Sequence, residues 1–368
     1  IYHIFQPNEA EVTSGSFVAD FVDYSNLYAW EGAFFIEDEF NINQRWSLGA
    51  GIRYSYFNHT GPYTEYQKGQ SNLISDTIHY PSGKSLAFYH QPEPRLSLKF
   101  QINSRSSLKA SYMRSAQYIH LATSSSVSLP TDIWLPSSKE ILPQTGSQFT
   151  LGYYRGLFKG FFESSVELYY KQNNNKMEFL RGIINNSLNM TMEDNIAFGK
   201  GYSYGTEIFL RKRKGSITGW LSYTLSRSVK QIDQINEGRI YPAKYDRRHD
   251  ISLSLIKTLN DKWSISGVFI YVTGSAMTLP AGRYLLQGNL VNQYSEVNSF
   301  RMPAYHRLDL SLKRTVKKDK GFTSSWNFSI YNLYSRANPF YIYFETKGSL
   351  EEYSLDVKPV MVSLFPII

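Results

Sequence analysis

The densest group of charged residues in the sequence is Asp246-Arg-Arg-His-Asp250. A histidine flanked by carboxylates is a combination that can perform acid–base chemistry. At the period of a strand, however, Asp246, Arg248 and Asp250 share one face, where alternating charges form a ladder of ion pairs that lines an interior. The segment opens a predicted strand after a long link, which favours the ladder. We therefore predict no catalytic residue here.

Histidine and cysteine usage gives no support for a metal or cofactor site. The chain has seven histidines and no cysteine, which excludes disulfides, thiolate ligands and a cysteine nucleophile. No two histidines have the H-x-x-H or H-x-x-x-H spacing of a local metal site, although a site built from separate loops stays open. No nucleophile and base are suitably spaced. The sequence thus predicts no catalytic, metal or cofactor-binding residue, no cofactor, and a protein that is not an enzyme.

Trp134 is a candidate for contact with a substrate or partner. It lies in the middle of a long predicted loop, in the segment Pro130-Thr-Asp-Ile-Trp-Leu-Pro136. Loops held by a rigid scaffold often carry binding residues. The alternative is that Trp134 packs against its own loop, as loop aromatics commonly do.

The net charge does not indicate a nucleic-acid partner. Lys and Arg number 39 against 31 Asp and Glu, which gives a formal charge of +8. These basic residues are spread along predicted strands and turns, without the interleaved aromatic platform of RNA-binding proteins. We therefore predict that the protein binds no nucleic acid.

Composition indicates that strands position all these residues. The chain has 29 Tyr, 23 Phe and 6 Trp, and these aromatics make up 16% of its residues, a composition that favours strands and interfaces. No window approaches the 18 or so apolar residues of a transmembrane helix, and no long segment has an apolar stripe of helical period. A transmembrane β-barrel stays possible, because its strands alternate between apolar and polar residues.

Alternation of period two dominates the sequence. In residues 216–228, Leu221, Tyr223 and Leu225 fall on one face, and serines and threonine fall on the other. Similar alternation runs through residues 95–101, 161–171, 305–313 and 326–331. Such a pattern predicts strands with one apolar and one polar face.

The predicted links between strands alternate strictly between short and long. Short polar links fall at 41–44, 103–106, 156–160, 212–216, 259–262 and 316–321, and long links at 58–87, 119–145, 172–200, 231–246 and 274–302. Long structureless loops are uncommon in compact soluble domains. Outer-membrane barrels have short periplasmic turns and long extracellular loops. The fold class is therefore predicted to be all-β, a transmembrane antiparallel β-barrel.

About fourteen strands are predicted, with ends uncertain by about two to four residues. They lie near 1–5, 22–40, 45–57, 88–101, 106–118, 146–157, 160–172, 200–213, 216–229, 247–258, 262–273, 303–316, 322–344 and 358–368. Their polar faces carry small, hydroxyl and charged side chains, which implies a wide barrel with a wet or plugged interior.

Alternation also predicts which residues contact lipid. The expected lipid-facing residues include Leu221, Tyr223, Leu225, Leu308, Leu310, Leu312, Phe328 and Ile330. The expected interior residues include Ser222, Thr224, Arg307, Asp309, Lys313 and Asn327, together with Glu163, Glu167, Glu207, Lys99, Lys171 and Arg211. Tryptophans near strand ends are expected to form aromatic girdles at the membrane interfaces: Trp30, Trp46, Trp220, Trp263 and Trp326.

Several stretches resemble one family. The segment Gly201-Tyr-Ser-Tyr-Gly-Thr-Glu, continued by Gly219-Trp-Leu-Ser-Tyr-Thr-Leu-Ser-Arg-Ser228, resembles a hairpin of TonB-dependent outer-membrane receptors of the Bacteroidetes type. Further similarities are Pro94-Arg95 opening a strand, Tyr245-Asp-Arg-Arg-His-Asp250, Phe300-Arg-Met-Pro-Ala-Tyr-His-Arg-Leu-Asp-Leu310 and Asn327-Phe-Ser-Ile-Tyr-Asn-Leu-Tyr334. Each is short, but together they cover most of residues 85–368 in the family's order.

The resemblance implies a barrel of about 22 strands with a plugged lumen, an N-terminal plug domain and a TonB box. Residues 1–368 show no plug and no TonB box, and early strands are missing. We therefore expect the chain to be the C-terminal portion of the barrel. The resemblance also implies the bacterial outer membrane as its location, with outer-membrane lipid and lipopolysaccharide around it.

The function implied by the resemblance is energised uptake of a ligand captured by the extracellular loops. The TonB–ExbB–ExbD system would act through the plug. The alternative is a receptor-type barrel that serves as a scaffold subunit of a larger outer-membrane complex, with surface lipoproteins or other outer-membrane subunits as partners. An open diffusion porin fits less well, because barrels this wide are plugged.

Overall fold

The computed structural model describes residues 2–14, 17–69, 74–122, 133–180, 196–286, 289–317, 321–347 and 356–364. These residues are almost all in strands, with single 3₁₀ turns at Phe158–Gly160 and Asn236–Gly238. No helix in these ranges is long and apolar enough to cross a membrane. The alternating pattern thus gives a nearly all-β fold, as predicted.

The strands follow one another in chain order. They are β1 (Tyr2–Ser14), β2 (Phe17–Asn41), β3 (Trp46–Thr60), β4 (Tyr63–Lys68), β5 (Ile74–Tyr80), β6 (Ser85–Asn103), β7 (Ser106–Gln117), β8 (Ile119–Ala122), β9 (Ile133–Pro136), β10 (Gln144–Leu157), β11 (Phe162–Phe179), β12 (Ile196–Lys212), β13 (Ile217–Gln231), β14 (Tyr241–Pro242), β15 (His249–Thr258), β16 (Trp263–Val272), β17 (Ala276–Met277), β18 (Pro280–Leu286), β19 (Asn289–Tyr294), β20 (Phe300–Arg301), β21 (Tyr305–Lys317), β22 (Thr323–Ile330), β23 (Asn338–Lys347) and β24 (Asp356–Leu364).

One large antiparallel sheet contains 14 of these strands in the order β1-β2-β3-β6-β7-β10-β11-β12-β13-β15-β16-β21-β22, with the short β14 paired to β13. Each strand pairs with its sequence neighbour in the sheet. From β2 onwards the predicted alternation of short and long links is confirmed, but β1 ends only two residues before β2, so two short links follow one another at the start of the sheet. No described pairing joins β1 to β22, so closure into a barrel stays a prediction.

The long links contain structure of their own, which the sequence reasoning treated as loop. Among the described residues, β4 pairs with β5, β8 with β9, β17 with β20 and β18 with β19. All these hairpins lie at the end of the sheet opposite the short turns. We call this end the loop end.

The predicted continuous strand at 322–344 is wrong, because the chain breaks between β22 and β23. Asn332 has a left-handed backbone (φ 55°), which asparagine tolerates better than most residues. Its side chain donates to the Arg336 carbonyl (2.9 Å) and accepts from the Arg336 N–H (3.2 Å), which closes a tight turn. β23 then pairs with β24 in a separate two-stranded sheet. The first strand is also longer than the predicted 1–5.

The register of the sheet separates an apolar face from a polar face. Leu221 lies opposite Leu210 and Leu253, and Leu310 lies opposite Gly267 and Ile330. The apolar face also carries a row of aromatic residues that are direct partners across four strands: Tyr112, Phe149, Tyr170 and Tyr204. The residues expected to contact lipid therefore share one face, and those expected inside share the other.

The prediction that Trp220 belongs to an aromatic girdle is wrong. It pairs with Arg211 and Ser254 and shares the polar face with Ser222. Its ring lies 6.3 Å from that of Phe209 on the same face. Trp220 was assigned to a girdle from its residue type, but the strand period governs its direction. Among the other tryptophans, Trp46 and Trp326 lie on the apolar face as expected.

The buried residues lie at the loop end rather than in a central core. One cluster contains Ala29, Phe57 and Tyr118, a second contains Leu135, Ile141 and Ile196, and a third contains Ala197, Ile232, Ile235 and Tyr241. Each joins ends of the sheet strands to residues of the long links. Packing thus fixes the links onto the sheet at this end.

Candidate functional site

The start of the link 118–143 is held against the polar face of the sheet. The ring of Tyr118 stacks on Phe57 of β3 with centroids 5.1 Å apart and an interplanar angle of 5°. The Tyr118 and Ser55 hydroxyls are 2.8 Å apart, and Ser55 donates to the buried carboxylate of Glu93 (2.5 Å). Because Tyr118, Ser55 and Glu93 satisfy each other's polar groups, they can lie buried where the link meets the wall.

Two buried histidines, His59 and His120, flank Ser137 of the same link. His59 is 2% exposed and His120 is 3% exposed. The His120 Nε2 atom lies 3.1 Å from the Ser137 hydroxyl, and the Ser137 N–H donates to the Tyr118 carbonyl (2.7 Å). The β8–β9 hairpin thus covers one of these imidazoles and contributes the other.

Burial lowers the pKa of both imidazoles. The pKa of His59 falls from 6.5 to about 4 because its ring is removed from water. Burial, together with the nearby charge of Lys176, likewise lowers the pKa of His120 to about 4. His59 is the last residue but one of β3, and His120 lies in a link, so both lie at the loop end of the sheet. Both rings are therefore neutral when the hairpin is docked at neutral pH.

We expect the β8–β9 hairpin to detach as the pH falls. A detached histidine regains a pKa near 6.5, so the open state binds protons first, and docking loses stability from about pH 6.5 downwards. At about pH 5 each histidine costs about 2 kcal/mol of docking free energy. Amide hydrogen exchange of residues 118–143 at a series of pH values measures this loss, after correction for intrinsic exchange.

The control for this pH dependence is His79→Gln, since His79 lies in the separate β4–β5 hairpin. That variant should keep the wild-type profile, whereas His59→Phe combined with His120→Gln should flatten it. An unchanged pH profile in the double variant would show that other groups control the hairpin.

A second set of contacts ties the first long link to the second. Lys139 donates to Glu65 of β4 and to the hydroxyl of Tyr80 of β5, both at 2.8 Å, and Tyr80 donates to the same carboxylate (2.8 Å). Burial alone would raise the pKa of Glu65, but the hydrogen bonds from Lys139 and Tyr80 lower it. The Tyr89 hydroxyl also donates to the Ser138 carbonyl (2.6 Å). The two links therefore form one surface.

Three lysines gather on the polar face beside this surface. They are Lys171 and Lys176 of β11 and Lys230 of β13. Lys230 forms an ion pair with Glu178 (2.7 Å) and donates to the Met177 carbonyl (3.3 Å). In the described part of the chain, Lys171 and Lys176 have no such carboxylate partner.

Closer to the short turns, the polar face carries both carboxylates and lysines. Glu167 lies directly opposite Glu207, and both line a recess with Lys109, Tyr154 and Lys171. The register also places the predicted interior residues Lys99, Glu163, Arg211 and Lys313 on this face. Other charges are paired locally, as in Arg307–Asp309 (2.9 Å) and Arg213–Glu163 (2.6 Å).

Asp246 does not belong to the predicted ladder. β15 begins at His249, so the strand period does not extend back to Asp246. Asp246 is buried, accepts from the Ser228 N–H (2.6 Å) and forms an ion pair with Arg301 of another long link. Its partner lies 55 residues away in the chain, so the pairing has no local sequence signal.

Trp134 lies on β9, where it is the register partner of Leu121, and 49% of it is exposed. Leu135, the next residue, is buried, and because successive strand residues point to opposite sides, Trp134 extends from the other side of the hairpin. The tip of this hairpin, 123–132, lies outside the described residues. Within the described residues, no three His, Asp or Glu side chains converge in a way that could hold a metal ion.

A sheet with an apolar outer face, a polar inner face and long links packed at one end has the organisation of an outer-membrane barrel wall. Residues 3–333 match the family described as TonB dependent receptor-like, beta-barrel. The chain belongs to the TonB-dependent receptor family. Members of this family are outer-membrane β-barrel proteins of Gram-negative bacteria, and we place this TonB-dependent receptor chain there too.

Solved structures of TonB-dependent receptors share this fold. The ferripyoverdine receptor of Pseudomonas aeruginosa is 14% identical, with a TM-score of 0.55 over 90% of this chain and 37% of that one. The ferric-catecholate import receptor Fiu of Escherichia coli K12 is 13% identical, with a TM-score of 0.54 over 89% and 43%. The FrpB iron transporter of Neisseria meningitidis is 15% identical, with a TM-score of 0.54 over 85% and 42%. No curated protein matches the sequence.

This TonB-dependent receptor chain therefore spans about two fifths of the length of these solved receptors. The family match identifies the matched part as barrel. The polar face of the sheet is accordingly the interior wall, and the apolar face is the lipid-facing wall. The loop end is the extracellular end.

Proposed function

We propose that this chain is the C-terminal portion of the barrel of a receptor that imports a ligand captured at its extracellular end. The observation that carries this proposal is the packing of the long links onto the interior wall. Tyr118 on Phe57, and Lys139 on Glu65 and Tyr80, join the links into one surface above a polar interior. Such a surface can hold a ligand at the entrance of a plugged barrel.

The plug domain and the early strands are proposed to lie in the remainder of the protein. The proposed partners are the TonB–ExbB–ExbD system, acting through that plug, and the outer-membrane lipid and lipopolysaccharide around the barrel. The protein is proposed to need no cofactor and to have no enzymatic activity, since the family comprises receptors and transporters.

The test is uptake by cells of the native organism. Deletion of the gene, or of tonB, should abolish uptake of one labelled compound from a panel of iron chelates, cobalamin, oligosaccharides and peptides. Uptake that persists without TonB would contradict the proposal. Stoichiometric co-purification with fixed outer-membrane subunits, without binding of any panel compound, would instead indicate the scaffold function.

Trp134 offers a sharper test of the capture surface. We expect Trp134→Ala to weaken binding of the identified ligand by at least about tenfold, because exposed tryptophans at binding surfaces contribute a disproportionate share of affinity. The control is Trp30→Ala, since Trp30 is 51% exposed but lies on the apolar face of β2. Equal affinities of both variants, measured by calorimetry on the purified full-length receptor, would mean that Trp134 only packs its loop.

A further inference from the structure

The three lysines on the interior wall form a compact basic cluster of Lys171, Lys176 and Lys230. The charges of Lys230 and Lys171 both act on Lys176. Beside Lys176 and Lys230 the opposing carboxylate is Glu178, which is already engaged by Lys230 at 2.7 Å, whereas Lys171 also shares a recess with Glu167 and Glu207. Both side chains of that pair are largely buried, at 17% and 16% exposure. Lys176 therefore meets two like charges and has no carboxylate partner of its own in the described residues, in a partly dehydrated place.

A β-bulge brings the cluster together. Asn173 pairs with Gly201, but the next pair is Lys176 with Gly199, so β11 has one extra residue there. Asn175 in this bulge has a left-handed backbone (φ 55°). The extra residue reverses the alternation, so that Lys176 faces the interior although it follows Lys171 at an odd spacing.

Glycines on the neighbouring strands make room for the lysine side chains. A Cβ atom on Gly201 would lie 3.0 Å from Cγ of Lys176. One on Gly146 of β10 would lie 3.6 Å from Cε of Lys171 and 2.6 Å from the Asn173 side-chain oxygen. Both lysines thus lie flat against a part of the wall where glycines present no side chain.

Burial and repulsion between like charges both disfavour the ammonium form of Lys176. The residue is six positions past Tyr170 of the aromatic row on the apolar face, about 20 Å along the strand towards the loop end. Burial, together with the charges of Lys230 and Lys171, lowers the pKa of Lys176 to about 8. A bound anion would relieve this repulsion, because an opposite charge favours the ammonium form.

We propose that Lys171, Lys176 and Lys230 bind an anionic group, a carboxylate or phosphate, of the ligand that enters this receptor. The proposal rests on the import function proposed above and names the chemical class of its ligand. Because the cluster lies on the interior wall, the anion is a soluble one rather than a lipid head group. His120 lies close enough for its pKa to respond to Lys176, so it borders the same site.

The first experiment measures the reactivity of lysines in the full-length receptor, with citrate and inorganic phosphate as probes. At about pH 8, acetylation followed by peptide mass spectrometry should modify Lys176 faster than Lys200. Citrate and phosphate should slow modification of Lys176 and Lys230, and chloride at equal ionic strength should not. Lys200 is a matched control because it precedes Gly201 on β12 and lies on the other face of the sheet. Equal protection of Lys176 and Lys200 would overturn the proposal.

The second experiment is calorimetric titration with citrate. Lys176→Met and Lys230→Met should each weaken binding by about tenfold, the effect of losing one charge-assisted hydrogen bond. Lys200→Met should bind as the wild type does, and Lys176→Arg, which keeps the charge, should retain most of the affinity. Heat-modifiable migration in gels checks that each variant is folded. Wild-type affinity in both Met variants, or no citrate binding by the wild type, would contradict the proposal.

These results separate the two proposals. Binding of citrate to the cluster without TonB-dependent uptake of any compound would leave the anion site standing and remove the import function. If uptake of a ligand depends on TonB but is normal in the Lys176→Met and Lys230→Met variants, the import function stands and the anion site is refuted.

Discussion

Arginine at position 310 should prevent assembly of the barrel, whereas arginine at position 311 should be tolerated. Leu310 lies on the lipid-facing wall between Gly267 and Ile330, and an arginine facing lipid at mid-depth costs about 2–4 kcal/mol. Ser311 lies on the interior wall, where its hydroxyl donates to Asn327 (2.7 Å) and accepts from Ser329 (3.0 Å). An arginine there can extend into the polar interior.

The measurement is the amount of folded, heat-modifiable protein in the outer-membrane fraction for Leu310→Arg and Ser311→Arg. The two variants carry the same new side chain at adjacent positions, so each controls for the other. Normal assembly of Leu310→Arg together with failure of Ser311→Arg would invert the two faces and refute the membrane-barrel assignment.

Removal of the Asp246 carboxylate should release the long link 273–304 from the sheet. Asp246→Ala leaves the Ser228 N–H without its acceptor and Arg301 without its counter-charge, and breaking a buried pair of this kind costs about 3–5 kcal/mol. Because Arg301 is 39% exposed, water compensates part of the loss, and we expect about 2–3 kcal/mol. Limited proteolysis of the full-length receptor should then cut this link first.

Asp250→Ala is the matched control for this prediction, since Asp250 belongs to the same charged segment but lies within β15. Asp246→Asn should be intermediate, because its amide oxygen can still accept from Ser228 while the charge that holds Arg301 is lost. Equal protease sensitivity of Asp246→Ala and Asp250→Ala would show that the ion pair does not hold the link.

The strand period predicted the sheet because lipid and a polar interior impose opposite requirements on successive residues. That constraint covers the register of Leu221, Leu310 and Phe328 and the alternation of short and long links. It also places Trp220 inside, since Trp220 is an even residue like Ser222 and Thr224. The sequence therefore contained that signal, and the assignment of Trp220 to a girdle overlooked it.

The candidate site was harder to predict from the sequence, because its residues are positioned by irregularities that interrupt the strand period. One extra residue in the bulge at Asn173–Lys176 turns Lys176 and Glu178 to the interior, and an asparagine run alone does not locate a bulge. Asp246–Arg301 joins distant links, and the β8–β9 hairpin is only four residues on each side. Such short or distant contacts leave no repeating pattern, so sequence reasoning identified Trp134 but not the buried His59 and His120.

The hairpins inside the long links also affect how the sheet can form. Pairing of β3 with β6 requires closure of the link 61–84, and the entropic cost of closure grows with the length of free chain. Once β4 has paired with β5, only short segments on either side of that hairpin remain free, so closure loses less conformational entropy. The β8–β9 hairpin shortens the link between β7 and β10 in the same way. These two links thus turn a distant pairing into a sequence of local ones, which favours rapid folding. The capture surface would then also serve the assembly of the wall beneath it.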